Sequence, residues 1–372
     1  MLEAKGKSEV LVAGGGPAGL AAAIAARQAG FDVAVVDCAQ PPIDKACGEG
    51  IMPEGLAALR ELGITLNSAI AAPFRGISFV DEHSRAEAAF SHVVGYGMRR
   101  TALHQLLVQR AEETGVSLRW KARITGLTRQ GLCINGQFTG YRWLICADGQ
   151  NSRLRRLAGL DHGRCTSRRY GFRRHYKVAP WFGQVEVHWA DCGQMYVTPV
   201  SQDEICVAFV TRHRQLRFDH ALARFPALHE RLGNVAPEKD YLGALTTTRE
   251  FGRVQSQNIA LAGEASGSID AVTGQGLSLA FRQALALADA LRAGDLREYQ
   301  AAHRRIARRP RLMSALMLAM DRYPALRRRA LHALASDPAA FARMLDLHTG
   351  ALPLREFGLR LGIALGWQLL AA

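Results

Sequence analysis

The segment SEVLVAGGGPAGLAAAIAARQAGFDVAVVD, residues 8–37, constrains this chain more than any other. SEVLVA (8–13) is an apolar run of strand length, GGGPAG (14–19) is a glycine turn, and LAAAIAARQAG continues as a helix that Gly30 ends. FDVAVVD (31–37) is a second strand closing on Asp37, 18 positions after Gly19. Each part has a physical job: Gly14 permits the tight turn, Gly16 lets a pyrophosphate approach the backbone, and Gly19 lets helix and strand pack. Pro17 and Ala18 open the helix, whose free N–H groups attract phosphate. The Asp37 carboxylate can accept ribose hydroxyls. A tight turn in some other α/β fold is the plain alternative, but strand, helix and acid stand in register, so dinucleotide binding is the expectation.

The 372 residues suffice for two domains or one large two-part domain, and an apolar content of 48% agrees with a sizeable core. The N-terminus lacks an apolar stretch before a cleavage site, and no run of 18 apolar residues occurs, so a cytoplasmic protein is expected. Seven cysteines without a C-x-x-C pair argue against a disulfide framework or a zinc knuckle. The net charge of +14 is unevenly spread: residues 301–372 hold 12 Arg against 4 acids, which is +8 of the total. That region alternates apolar runs with arginines and carries no nucleic-acid motif, so it reads as a membrane-surface or helix-packing segment.

Three downstream segments give the turn a context. Arg100 in GMRRTALHQLLVQRAEE begins a helix, RWLICADGQNSR (142–153) is a strand ending in Ala147, Asp148 and Gly149, and NIALAGEASGSIDAVTGQGLSLAF (258–281) is a strand ending in Gly263 and Glu264 before a glycine loop. In this order and at these distances the segments resemble the flavoproteins related to p-hydroxybenzoate hydroxylase, over most of residues 8–300. DKACGEG (44–50) is most similar to the geranylgeranyl reductase subfamily, in which a comparable loop faces the flavin.

The resemblance implies FAD as cofactor and NADPH or NADH as reductant. It places Gly14, Gly16 and Gly19 at the pyrophosphate, Asp37 at the adenosine ribose, Arg100 at the phosphate and ribityl region, and the backbone of Ile124 at the adenine. Asp148 would sit near the pyrophosphate. Gly263 and Glu264 would meet a ribityl hydroxyl, although the family usually has Asp where Glu264 stands. Gly274, Gly276 and Leu277 would turn helix N–H groups toward the N1 and O2 edge of the flavin.

Two readings of Cys47 stand: a thiol beside the flavin acting as gate, hydrogen-bond donor or proton source, or a small apolar residue where Gly48 and Gly50 are the actual requirement. Lys45 either pairs with the ring or phosphates or is solvated. QVEVHW (184–189), QMYVTPV (194–200) and EICVAFV (204–210) alternate with period two and predict an antiparallel sheet, joined by GISFVD (76–81) and AAFSHVVGYGM (88–98). Tyr196 and Pro199 are what remains of the family's aromatic-x-x-Pro element, and the halogenase Trp-x-Trp-x-Ile-Pro motif is absent. Tyr196, His175 and His188 are candidate polar groups for the cavity, Tyr196 with Cys47 being the catalytic candidates. No metal site is expected.

The fold class expected is mixed α/β: a Rossmann-type FAD-binding domain related to glutathione reductase, an antiparallel substrate domain and a C-terminal helical region. The boundaries read as FAD-binding parts at 1–70, 99–165 and 256–300, substrate-sheet strands at 71–98, the antiparallel domain at 166–255, and a basic, apolar helical region at 301–372. Three functions compete in this order: a monooxygenase acting on a hydrophobic aromatic or polyketide-like compound, a reductase of isoprenoid double bonds, and a membrane-bound electron carrier. A hydrophobic small molecule is the partner expected, with peripheral contact of 301–372 at the inner membrane surface. From Phe357 to Ala372 only Arg360 is charged, and the 16 residues are too few to span a bilayer.

Overall fold

The computed structural model describes residues 8–128, 130–238 and 241–353. The apolar run at the N-terminus forms β1 (Ser8–Ala13), the glycine turn leads into α1 (Pro17–Gln28), and β2 (Val33–Val36) follows. Val10–Ala13 and β2 are wholly buried, as expected of parallel strands covered on both faces. The chain continues through α2 (Pro53–Glu61), β3 (Gly76–Val80), β4 (Arg85–Ala89), α3 (Arg100–Glu113), β5 (Ser117–Arg119) and β6 (Gln137–Cys146). Then come β7 (Gly163–Tyr176), β8 (Val185–Ala190), β9 (Gly193–Pro199), β10 (Ile205–Thr211), β11 (Leu242–Phe251) and β12 (Ile259–Leu261). Four helices close the described chain: α4 (Gly276–Ala293), α5 (Leu296–Arg322), α6 (Pro324–Ser336) and α7 (Pro338–Thr349).

Two large sheets organise these elements. The first has a parallel core β12-β6-β1-β2-β5, with Val12 opposite both Ile145 and Val35, and short antiparallel strands at its margins. Strands far apart in sequence thus place the ends of β1, β6 and β12 side by side, where a ligand of a parallel sheet binds. The second sheet runs β11-β7-β10-β9-β8-β3-β4 and is antiparallel except where β8 meets β3, Val185 standing opposite Ile77.

The second sheet departs from its sequence pattern in two ways. β9 and β10 are buried at every position rather than alternately. Met195, Val207 and Phe209 face the short helices at 218–222 and 226–232, while Tyr196, Ala208 and Val210 face the C-terminal helices, so both faces are covered. The stretch 88–98 is also not one strand. β4 ends at Ala89, and Gly95–Gly97 pairs with Gly50–Ile51 and Ala72–Phe74 in a small separate sheet. Glycine is required there, since a Cβ at Gly97 would lie 1.8 Å from the Pro199 carbonyl oxygen.

α6 and α7 begin with Pro324 and Pro338 at their first positions, where a missing N–H costs nothing. With α5 they pack over the β3, β4 and β8 end of the second sheet, joining Phe79, Trp189, Met320, Leu334 and Phe341 in one cluster. The apolar stretch 357–372, with Trp367, lies outside the described residues. Among the described residues no helix is long and apolar enough to cross a membrane.

Candidate functional site

The glycine turn is held by contacts that only glycine permits. Gly14 has φ +110°, and a Cβ there would lie 2.3 Å from the Ala147 carbonyl oxygen. A Cβ on Gly19 would lie 1.8 Å from the Gly14 oxygen, so α1 starts against the turn itself. Asp37, at the end of β2, accepts the Gly15 N–H at 2.6 Å and the Ala39 N–H at 2.7 Å. From α3, the His104 ring meets the Gly15 carbonyl at 2.8 Å and keeps its Nδ1 without a protein partner. The opposite side of the turn is open, since nothing lies within 4 Å of where a Gly16 Cβ would be.

The other residues singled out from the sequence converge on this sheet edge, each in a definite setting. Asp148 follows β6 and accepts from Ser152 Oγ at 2.5 Å and Leu154 N at 3.2 Å, which orders the loop beside Gly14. Gly263 follows β12 with its N–H on Gln283 Oε1 at 3.0 Å, close enough to α1 that its Cβ would touch Ala18. Ile124 begins the strand Ile124–Leu127 and packs half-buried against the core. Gly274 has φ +64°, and both Gly274 and Gly276 face open space at the start of α4, next to Leu277 in the cavity wall.

Arg100 supplies the test of whether an anionic cofactor fits. It is 8% exposed and makes no ion pair among the described residues. Burial pulls its pKa down against the nearby Cys47, Glu264, Asp44 and Glu49. A buried cation without a partner is costly unless a ligand supplies the counter-charge. The open cradle at Gly16, the two clear positions at Gly274 and Gly276 and this orphaned guanidinium together fit FAD.

The loop 44–50 crosses the front of this site, and its organising residue is one the sequence reading passed over. Glu49 is 1% exposed and has φ +60°, a conformation uncommon outside glycine. Its carboxylate accepts Arg100 N at 2.9 Å and Arg173 Nη1 at 2.7 Å and meets His175 Nε2 at 2.6 Å. Burial pushes the Glu49 carboxyl up, but the His175 ring, the Arg100 N–H and Arg173 outweigh it and leave the pKa lowered. Asp44 pairs with the same Arg173 at 2.9 Å, which ties the other end of the loop to β7. His175 therefore serves the loop and does not line the cavity; His188 is likewise turned to Glu186, at 2.8 Å.

Between these anchors, Cys47, Gly48 and Gly50 line a cavity. The Cys47 sulfur accepts the Glu49 N–H at 3.4 Å, and burial raises the thiol's pKa despite Arg100, so it stands protonated. Lys45 has a protein partner. It pairs with Glu264 at 2.5 Å, both side chains nearly half exposed, so the longer Glu reaches a lysine of the loop 44–50. Tyr196 lines the wall with its hydroxyl donated to the Val272 carbonyl at 3.0 Å, and burial raises its pKa.

The cavity measures ≈550 Å³ and extends from the loop 45–50 and the α4 turn into the helical region. Phe74, Phe79 and Val187 roof it, and Met313, Met317, Met320 and Met344 line its far part. Unbranched thioethers adapt to an irregular apolar ligand. His348 of α7 also reaches the wall, with Nε2 3.2 Å from the Thr273 carbonyl and its pKa pushed down by burial to about 4. Nothing in the sequence singled out His348 or the methionines, because helices α5–α7 reach the cavity only through the tertiary fold.

Parallel sheet, glycine cradle and orphaned arginine define a dinucleotide-binding flavoprotein. A family model described as FAD binding domain matches residues 7–298, and the chain belongs to that family. Among its relatives, menaquinone reductase of Mycolicibacterium smegmatis is 26% identical over 339 residues, covering 80% of this chain and 79% of that protein. Digeranylgeranylglycerophospholipid reductase 1 of Methanopyrus kandleri is 30% identical over 297 residues, covering 73% and 77%. A solved flavoprotein/dehydrogenase from Cytophaga hutchinsonii superposes with a TM-score of 0.85 at 18% identity, covering 98% of this chain and 99% of that one, a likeness of fold. The protein is an FAD-dependent oxidoreductase.

Proposed function

We propose that the protein is a reductase that saturates a carbon-carbon double bond in a long apolar substrate of isoprenoid type, with NADPH or NADH as electron source. The observation that carries this reading is the cavity, whose wall from Cys47 to the methionines of α5 and α7 is made mostly of apolar side chains. Two relatives whose names specify reductases of isoprenoid-bearing lipids support it. Hydroxylation stood first from the sequence, and this support now ranks it second.

Bound FAD, once reduced by the nicotinamide, would supply hydride to the alkene carbon. The chain's part is to orient and to manage water and a proton. Arg100 and the α4 N-terminus would hold the cofactor, and the Phe and Met walls would keep the alkene dry. The Cys47 thiol, neutral and in the wall, is a group able to give a proton to the second alkene carbon. Tyr196 is the weaker candidate, because its proton is already committed to Val272.

The test is turnover of an isoprenoid lipid extract with NADPH under oxygen-18 gas and, separately, without oxygen. Products two hydrogens heavier in both atmospheres support the reading. A product carrying heavy oxygen restores the monooxygenase and makes Cys47 a packing residue.

A further inference from the structure

The far end of the cavity opens on an unusual surface. Leu316 lines the cavity and is nevertheless 48% exposed, and Leu312, one turn earlier on α5, is 44% exposed. Tyr323, just past the end of the helix, is 55% exposed. Leu326 and Met344, also in the cavity wall, are half-buried beside them. Spacings of three and four residues put Arg305, Arg308, Leu312 and Leu316 on one helical stripe, and all four are exposed.

The charge around this stripe has one sign. Residues 301–353 hold ten arginines against three aspartates. Those aspartates are engaged: Asp321 is buried against Arg212, Asp337 caps α7, and Asp346 holds Ser91. Arg305, Arg308, Arg322 and Arg328 are exposed and make no ion pair among the described residues. Exposed apolar side chains rimmed by unpaired arginines are the pattern of a surface that rests on an anionic lipid bilayer.

We propose that the α5 stripe Arg305-Arg308-Leu312-Leu316, with Tyr323, docks the protein on an anionic membrane surface. Docking there sets the cavity mouth against the bilayer, so that an apolar substrate passes from lipid into the cavity without crossing water. This purpose rests on the apolar-substrate reading above; the docking itself is measured without substrate, so either can fail alone.

The experiment is flotation of the full-length, FAD-loaded protein with phosphatidylcholine vesicles, with and without phosphatidylglycerol. Wild type should float with the anionic vesicles, less so in high salt. Leu312→Ser with Tyr323→Ser, and separately Arg305→Ser with Arg308→Ser, should each weaken binding by roughly tenfold or more. Both variants should keep the flavin spectrum, the melting temperature and turnover of a detergent-dispersed substrate, because these side chains are on the surface. Variants that float like wild type would overturn the proposal, and all the more so if substituting Leu369 and Leu370 by Asp alone abolished flotation. A dimer in sedimentation that depends on Leu312 and Tyr323, with no flotation, would also overturn it.

Discussion

Glu49 shows how much one residue can organise. Its N–H reaches the Cys47 sulfur, its carbonyl accepts Met98 N at 3.0 Å, and its carboxylate joins α3 to β7 through Arg100 N, Arg173 and His175. A left-handed backbone at a bulky residue persists only where surroundings over-determine it. Glu49→Gln should cost about 3 kcal/mol, the scale of breaking a buried pair, since Arg173 keeps only Asp44. Glu49→Gly would relieve the backbone yet lose the same partners. Peptide-level alkylation should show Cys47 labelled much faster in both variants than in wild type, against the exposed Cys38 and Cys165 as internal standards. Unchanged Cys47 labelling would mean that the loop is held by Asp44 alone. The sequence could show an acid between two glycines in DKACGEG, but no periodicity or spacing tells that it is buried, because its partners lie up to 126 residues away.

At the scale of elements, helices α5 and α7 grip the cofactor-facing turns through buried histidines. His303 Nε2 lies 3.0 Å from Ser266 Oγ, just after Gly263, and His348 Nε2 lies 3.2 Å from the Thr273 carbonyl, just before Gly274. Burial pushes both pKa values down to about 4, helped by Arg311 and Arg304 at His303 and by Arg309 at His348. Folded values below the ordinary 6.5 mean that the unfolded chain binds more protons, so this stability is complete above 6.5 and falls away toward pH 4. Each histidine can account for up to about 3 kcal/mol on that scale. Chemical denaturation across this range should show the decline, and flavin should be lost with it. His303→Gln should flatten part of the slope; a slope unchanged in that variant would assign the acid sensitivity elsewhere. The first sheet's elements were legible because local pattern and tertiary role coincide: a continuous apolar run such as LVA is a strand buried on both faces. β9 and β10 read as half-exposed strands and are wholly buried, because what covers their second face comes from 218–232 and from α5–α7.

At the scale of the whole molecule, the cavity exists only because separate parts of the chain close on it, among them the loop 44–50, the second sheet, the turn before α4 and the C-terminal helices. Its far wall sets how long an apolar substrate can be. Ala333→Trp, which fills that end, should lower kcat/KM for long isoprenoid chains by about tenfold, the scale of 1–3 kcal/mol for a lost apolar contact. Short homologues should be turned over as before, with FAD still bound. Equal losses for short and long substrates would show that the helical end does not hold the chain.

The sequence by itself determined the dinucleotide half-unit, because Gly14, Gly16, Gly19 and Asp37 stand within 30 residues, in register with the strands and helix whose apolar pattern is itself local. It also marked the loop at Cys47 and the basic, apolar character of the C-terminal region. Only the tertiary structure decided that Lys45 pairs with Glu264, that Arg100 is buried without an ion pair among the described residues, and that four methionines share one cavity with Cys47. Those outcomes depend on which distant groups share a buried volume, and burial sets the cost of every unpaired charge.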